Sequence, residues 1–94
     1  MTHVLNQADV EAALADLPGW TGDTQALRLT RQFPDFPAAI AAVVRVADLA
    51  EERDHHPDMD IRWRTVTFTL STHSAGGVTA LDLDLAAAID DATA

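Results

Sequence analysis

The feature that most constrains the fold is a change of hydrophobic period centred on His55-His56-Pro57. Upstream, Phe36, Ile40, Val43, Ala47 and Ala50 recur at the spacing of an amphipathic helix, which predicts a helix over roughly residues 36–53. Asp35 is placed to cap that helix, Pro37 fits its first turn, and Pro57 keeps it from continuing past His56. Downstream, residues 61–71 are rich in β-branched and aromatic side chains, with Val66, Phe68 and Leu70 on one face and threonines on the other. The residues alone allow one strand here or a tight hairpin bending near Arg64-Thr65.

The flanking segments repeat this alternation of types. Asn6 can cap a first helix carrying Val10, Ala13, Leu14 and Leu17, which Pro18-Gly19 ends. Residues 20–31 read as a hairpin turning near Gly22-Asp23, with Leu27, Leu29 and Arg31 alternating against Arg28 and Thr30. Residues 71–78, with Gly76-Gly77, read as a loop. Thr79, followed three residues later by Asp82, has the form of a capping box opening a last helix with Leu81, Leu85, Ala88 and Ile89 on its stripe. Residues 81–85 also alternate as a strand would. The order of elements predicts an α+β fold with helices on one face of an antiparallel sheet. At 94 residues the chain is expected to form a single domain, 1–94, with a core small enough that self-association would help it.

Charge and residue usage remove several function classes. Six basic residues against fifteen acidic ones leave a net charge of −9, which repels nucleic acid and anionic membrane surfaces. All six are Arg, and with abundant Ala and Asp this usage points to a GC-rich bacterial genome. The absence of cysteine excludes disulfides, thiolate nucleophiles and zinc–thiolate sites, and fits a reducing cytoplasm. Met1-Thr2-His3-Val4-Leu5 has neither the basic start nor the apolar stretch of a signal peptide. The longest apolar run, Ala38 to Val44, is far shorter than the ~20 residues of a membrane span, so the expected location is cytoplasmic.

Three of the four histidines, His55, His56 and His73, fall in the two segments that flank the strand-like stretch. An antiparallel return brings those segments to one edge of a sheet, where an imidazole cluster can give and take protons near neutral pH. Each histidine also has a plainer reading: His56-Pro57 as helix-stop chemistry, His73 as an ordinary loop residue. A metal site is disfavoured, because adjacent histidines rarely reach one ion and no H-x-x-x-H or H-E-x-x-H pattern is present. Ser71 and Ser74 lack the G-x-S-x-G context of a nucleophile, and Gly76-Gly77 is too little for a phosphate loop.

Glu51, three residues, His55-His56-Pro57, five residues, Trp63, nine residues, His73, eight residues, Asp82: this spacing resembles the signature of the pterin-4a-carbinolamine dehydratases. The run Thr69-Leu70-Ser71-Thr72-His73, together with Gly19-Trp20, Phe33, Phe36 and Arg45-Val46-Ala47, extends the resemblance over nearly the whole chain. The resemblance implies a four-stranded antiparallel sheet with three helices on one face, and splits residues 58–71 into two strands. It implies loss of water from a 4a-hydroxytetrahydropterin, giving a quinonoid dihydropterin for reuse by an aromatic amino-acid hydroxylase, with no metal or other cofactor. By the same match, His55 and His73 would act as acid and base, His56 would hold the pterin, and Glu51 and Asp82 would orient the imidazoles. Trp63 and Pro57 would line or shape the site. The family's oligomers imply a homodimer or tetramer.

Glu51 also reads as a solvated helix-end charge, Asp82 as only the third residue of a helix cap, and Trp63 as sheet core or pocket wall. The chain departs from the family pattern at two positions. Leu81 stands where many members carry Arg beside the motif's Asp, and Met59 replaces an aromatic often found after the His-His-Pro. The alternative function is a catalytically weak or inactive dimeric interaction module of the same fold.

Overall fold

The register of the central strands decides which face of the sheet becomes the core. The computed structural model describes residues 3–94; Met1 and Thr2, with which the leader-free start read above begins, lie outside the described residues. The elements run α1 (Gln7–Leu14), β1 (Trp20–Gly22), β2 (Leu27–Gln32), α2 (Phe36–Arg53), β3 (Asp58–Arg62), β4 (Thr65–Leu70) and α3 (Ala80–Thr93). The strands form one antiparallel sheet in the order β1-β2-β4-β3. Leu27, Leu29 and Arg31 face Leu70, Phe68 and Val66 across the β2–β4 ladder, and Met59 pairs with Phe68 from the other side. Opposed residues share a face, so these residues make one surface, apolar except for Arg31 at its end, while Arg28, Thr30, Thr67, Thr69 and Asp60 make the opposite, polar one. The apolar surface is buried together with Val10 of α1, Ala39, Ala42 and Val46 of α2, and Leu85, Ala86 and Ile89 of α3. The three helices and the four-stranded antiparallel sheet are those expected.

The open choice over residues 61–71 is settled as a hairpin. β3 and β4 pair directly, and the chain turns at Trp63 and Arg64, where Trp63 takes a positive φ of 55°. Capping follows the sequence closely: Asn6 Oδ1 accepts from Asp9 N–H, and Asp35 Oδ1 from Ala38 N–H. The stretch opening at Thr79 is helical, and its capping box is complete.

Three details differ from expectation. In α2 the buried stripe is Ala39, Ala42, Val46 and Ala50, while Phe36 and Ala47 are exposed. Alanine lies both on the buried face, at Ala39, Ala42 and Ala50, and on the exposed one, at Ala41 and Ala47, so its positions do not mark which face packs. In α3, Leu81 is exposed and Asp82 is inside, because the acidic side chain finds buried donors there. α1 ends at Leu14, and Leu17 is buried from the turn that follows.

After β4 the chain closes on itself. Thr72 and Gly77 form an isolated antiparallel bridge, with Thr72 N–H donating to Gly77 O at 3.0 Å. A Cβ at Gly77 would stand 2.6 Å from the carbonyl oxygen of Thr24, itself the acceptor of Val78 N–H. Gly77→Ala is therefore expected to lower the unfolding free energy by about 1–3 kcal/mol, the usual cost of forcing atoms into a filled space. Urea denaturation checks this, and an unchanged midpoint would contradict it.

Candidate active site

The geometry of the site begins with how α2 stops. Asp54 takes the left-handed conformation, φ 48°, which a short polar side chain tolerates better than most. Asp54 N–H donates to Glu51 O and His55 N–H to Ala50 O, the paired bonds that close a helix C-terminus. These bonds fix the backbone of His55 one residue beyond the turn, and Pro57 then leads into β3.

His55 is directed inward. Its Nε2 lies 2.6 Å from Oδ1 of Asp82, with the imidazole 11% and the carboxylate 0% exposed. Removing a carboxylate from water is costly unless donors replace the lost hydration. Asp82 has them: its Oδ2 accepts from Thr72 Oγ1 at 2.8 Å and from Thr79 N–H at 2.9 Å. With Oδ2 accepting twice, the carboxylate acts as an acceptor, and His55 Nε2 is assigned as the donor. In neutral His55 this leaves Nδ1 as the unprotonated ring nitrogen. Asp82 is therefore both the third residue of the α3 capping box and the hydrogen-bond partner of a histidine.

His56 pairs outward through Nε2 with Oε2 of Glu51, where both side chains are more than half exposed. The two neighbouring histidines thus have separate carboxylates, one buried and one at the surface. His73 follows Thr72 directly, is exposed, and its carbonyl accepts from Gly76 N–H in the closed turn. Because Thr72 donates to the carboxylate that holds His55, the loop bearing His73 is tied to the end of α2 through Asp82.

The hairpin separates Trp63 from this group. His55, His56 and Pro57 precede β3 and His73 follows β4, whereas Trp63 sits at the turn joining the two strands. Five residues of β3 at about 3.3 Å each put roughly 16 Å between those ends. Trp63 is 70% exposed, with the Arg64 guanidinium 4.9 Å from its ring centre, so it forms no part of the sheet core. Pro57 is half-buried beside the histidines. Among the described residues, no three His, Asp or Glu side chains converge in a metal-binding arrangement. Sequence reasoning missed Thr72, whose place beside His73 in the run Thr69–His73 was its only signal.

The family model described as pterin 4 alpha carbinolamine dehydratase matches residues 3–92. The chain belongs to the pterin carbinolamine dehydratase family. A relative from Roseiflexus castenholzii, named "Putative pterin-4-alpha-carbinolamine dehydratase", is 58% identical over 91 residues, covering 97% of this chain and 98% of its own. Among solved structures, a "transcriptional coactivator/pterin dehydratase" from Brucella melitensis superposes with a TM-score of 0.91 at 33% identity, covering 96% of this chain and 98% of its own. A pterin dehydratase-like protein described as a RuBisCO assembly factor in the alpha-carboxysome has the same fold. Its TM-score is 0.65 at 23% identity, covering 79% of this chain and 86% of its own. No helix of the described dehydratase-family chain is long and apolar enough to cross a membrane.

The burial contrast between the two carboxylates gives a direct test. Asp82→Ala leaves three buried donors unpaired and is expected to cost about 3 kcal/mol or more of stability. Glu51→Ala, at a pair open to solvent, should change stability by less than ~1 kcal/mol. Equal losses for the two variants in chemical denaturation would contradict this ranking.

Proposed function

We propose that this protein dehydrates a 4a-hydroxytetrahydropterin to the quinonoid dihydropterin, which returns the cofactor of an aromatic amino-acid hydroxylase to use. Family membership supports the reaction class. The observation that carries the histidine mechanism is the buried Asp82, which binds His55 on one oxygen and the residue preceding His73 on the other.

The reaction needs two proton transfers and no change of oxidation state. A base takes the proton of a ring nitrogen next to C4a, and that nitrogen's electron pair forms the C=N bond. The C4a–O bond breaks, and an acid supplies the proton with which the hydroxyl leaves as water. One proton is taken and one is given, so a pair of imidazoles suffices and regains its starting state by exchange with solvent. His55 and His73 fill these two roles in this reading. The bond from His55 Nε2 to Asp82 leaves Nδ1 as the ring atom that accepts or delivers the proton, and holds the ring through the exchange. His56, braced by Glu51 at the surface, binds and orients the pterin, and Pro57 sets the direction of the chain between the pair and β3.

If this is correct, His55→Ala and His73→Ala lower kcat by roughly 10²–10⁴-fold, or less where the uncatalysed dehydration sets the floor. His56→Ala raises KM more than it lowers kcat. His3, outside the group, is the control and should be dispensable. Dehydration of a chemically generated carbinolamine, followed by ultraviolet absorbance, measures all four variants. Folded His55→Ala and His73→Ala proteins acting at the wild-type rate would overturn the assignment in favour of an interaction module.

The proposed working form is a homodimer or a larger homo-oligomer. β1 and β3 are the open edges of the sheet, and a 94-residue core is only marginally sufficient alone. Light scattering should give at least twice the chain mass of 10.1 kDa at micromolar concentration, and a 10.1 kDa particle would count against it.

A further inference from the structure

We infer that Thr72 is a positioning residue for this reaction: its hydroxyl, ordered by Thr79, holds the Asp82 carboxylate so that a single oxygen faces His55. This rests on the dehydratase reading above and extends it to a residue that touches neither substrate nor the reacting atoms.

The argument is a count of hydrogens. Thr79 Oγ1 accepts from Leu81 N–H at 3.2 Å as the cap of α3, so its own hydrogen is directed elsewhere. The neighbouring oxygen is Thr72 Oγ1, at 2.7 Å. Thr72 also has one hydrogen to give, and Asp82 Oδ2, 2.8 Å away, accepts it. The hydroxyl order is thereby fixed: Thr79 donates to Thr72, and Thr72 donates to Asp82. Both threonines are buried, at 4% and 0% exposure, so water does not compete for these bonds. With Thr79 N–H as a second donor, Oδ2 is occupied twice, and Oδ1 is left for His55 Nε2.

The backbone of Thr72 is as constrained as its side chain. Its N–H donates to Gly77 O, and its carbonyl accepts from Ala75 and Gly76 N–H, each at 3.0 Å. The residue that orders the carboxylate behind His55 therefore also starts the turn carrying His73. Remove the hydroxyl, and Oδ2 loses one donor while the Thr79 hydrogen loses its acceptor. The two carboxylate oxygens then become closer competitors for His55, and the ring loses its single orientation.

The test compares Thr72→Val, which keeps the shape and removes the hydroxyl, with Thr72→Ser, which restores the hydroxyl. Two readouts are taken: steady-state dehydration, and the nitrogen-15 NMR signals of the His55 ring in the pterin-free protein. Thr72→Val is expected to lower kcat roughly 10–100-fold, the worth of one hydrogen bond to a charged group, with KM within about twofold. Its His55 ring nitrogen signals should shift and broaden relative to wild type, because Nε2–H no longer meets a single fixed oxygen. Thr72→Ser should recover the wild-type ring signals and bring kcat to within about threefold of wild type. A folded Thr72→Val protein with wild-type kcat and His55 signals overturns the inference, as does Thr72→Ser failing in the same way as Thr72→Val. Should Thr72→Val not fold, Thr72→Ser decides alone, retention of kcat and ring signals supporting the inference and their loss overturning it. The ring signals need no substrate. A wild-type protein without dehydratase activity would therefore refute the dehydratase reading, while the His55 spectra would still decide whether Thr72 orders the ring.

Discussion

A carboxylate with no exposure to solvent, in a chain of 94 residues, has to be fully hydrogen-bonded or it unfolds the structure around it. Asp82 meets that demand with three donors drawn from separate parts of the chain. Thr79 N–H comes from the start of α3, Thr72 Oγ1 from the turn after β4, and His55 Nε2 from the end of α2. Satisfying one charge thus joins three segments that the sheet alone would only bring near each other. The order of the histidine region follows from an electrostatic necessity of the fold. In the proposed mechanism stability and function share the same bonds, so losses at Asp82 are expected in both.

Much of this was legible in the sequence. The period change at His55-His56-Pro57 marks the true helix–strand boundary, and Asn6, Asp35 and Thr79 cap the three helices as their side-chain chemistry requires. The phase of α2 was not legible, because its buried stripe is mostly alanine and alanine also lies on its exposed face, so the small residues that pack closest are not distinguished in the sequence. The left-handed Asp54 was not legible either, since the residue usually found in that conformation is glycine. At the site, the spacing of Glu51, His55, His56, His73 and Asp82 does not reveal the two pairs that form, His55 with Asp82 and His56 with Glu51. Which histidine takes which carboxylate depends on the closing bonds of α2, which turn His55 inward and leave His56 at the surface. Trp63 belongs to the same spacing, yet an intervening strand sets it at the far end of the hairpin.

The fold itself does not name the chemistry. The same architecture is found in a protein described as a RuBisCO assembly factor, at an identity of 23% that speaks for shape alone. What argues for catalysis in this chain is local: one imidazole bonded to a buried carboxylate that also takes the hydroxyl of the residue before His73, with a further imidazole braced at the surface.

The central claim is that Asp82 acts on the reaction through His55. A double-mutant cycle on the dehydration rate, with His55→Ala, Asp82→Asn and the combined variant, tests it most directly. If the account is right, adding Asp82→Asn to His55→Ala lowers the rate by no more than about twofold, because the group that Asp82 orients is already gone. If instead the two losses multiply, Asp82 and His55 serve the reaction independently, and the coupling described here is wrong.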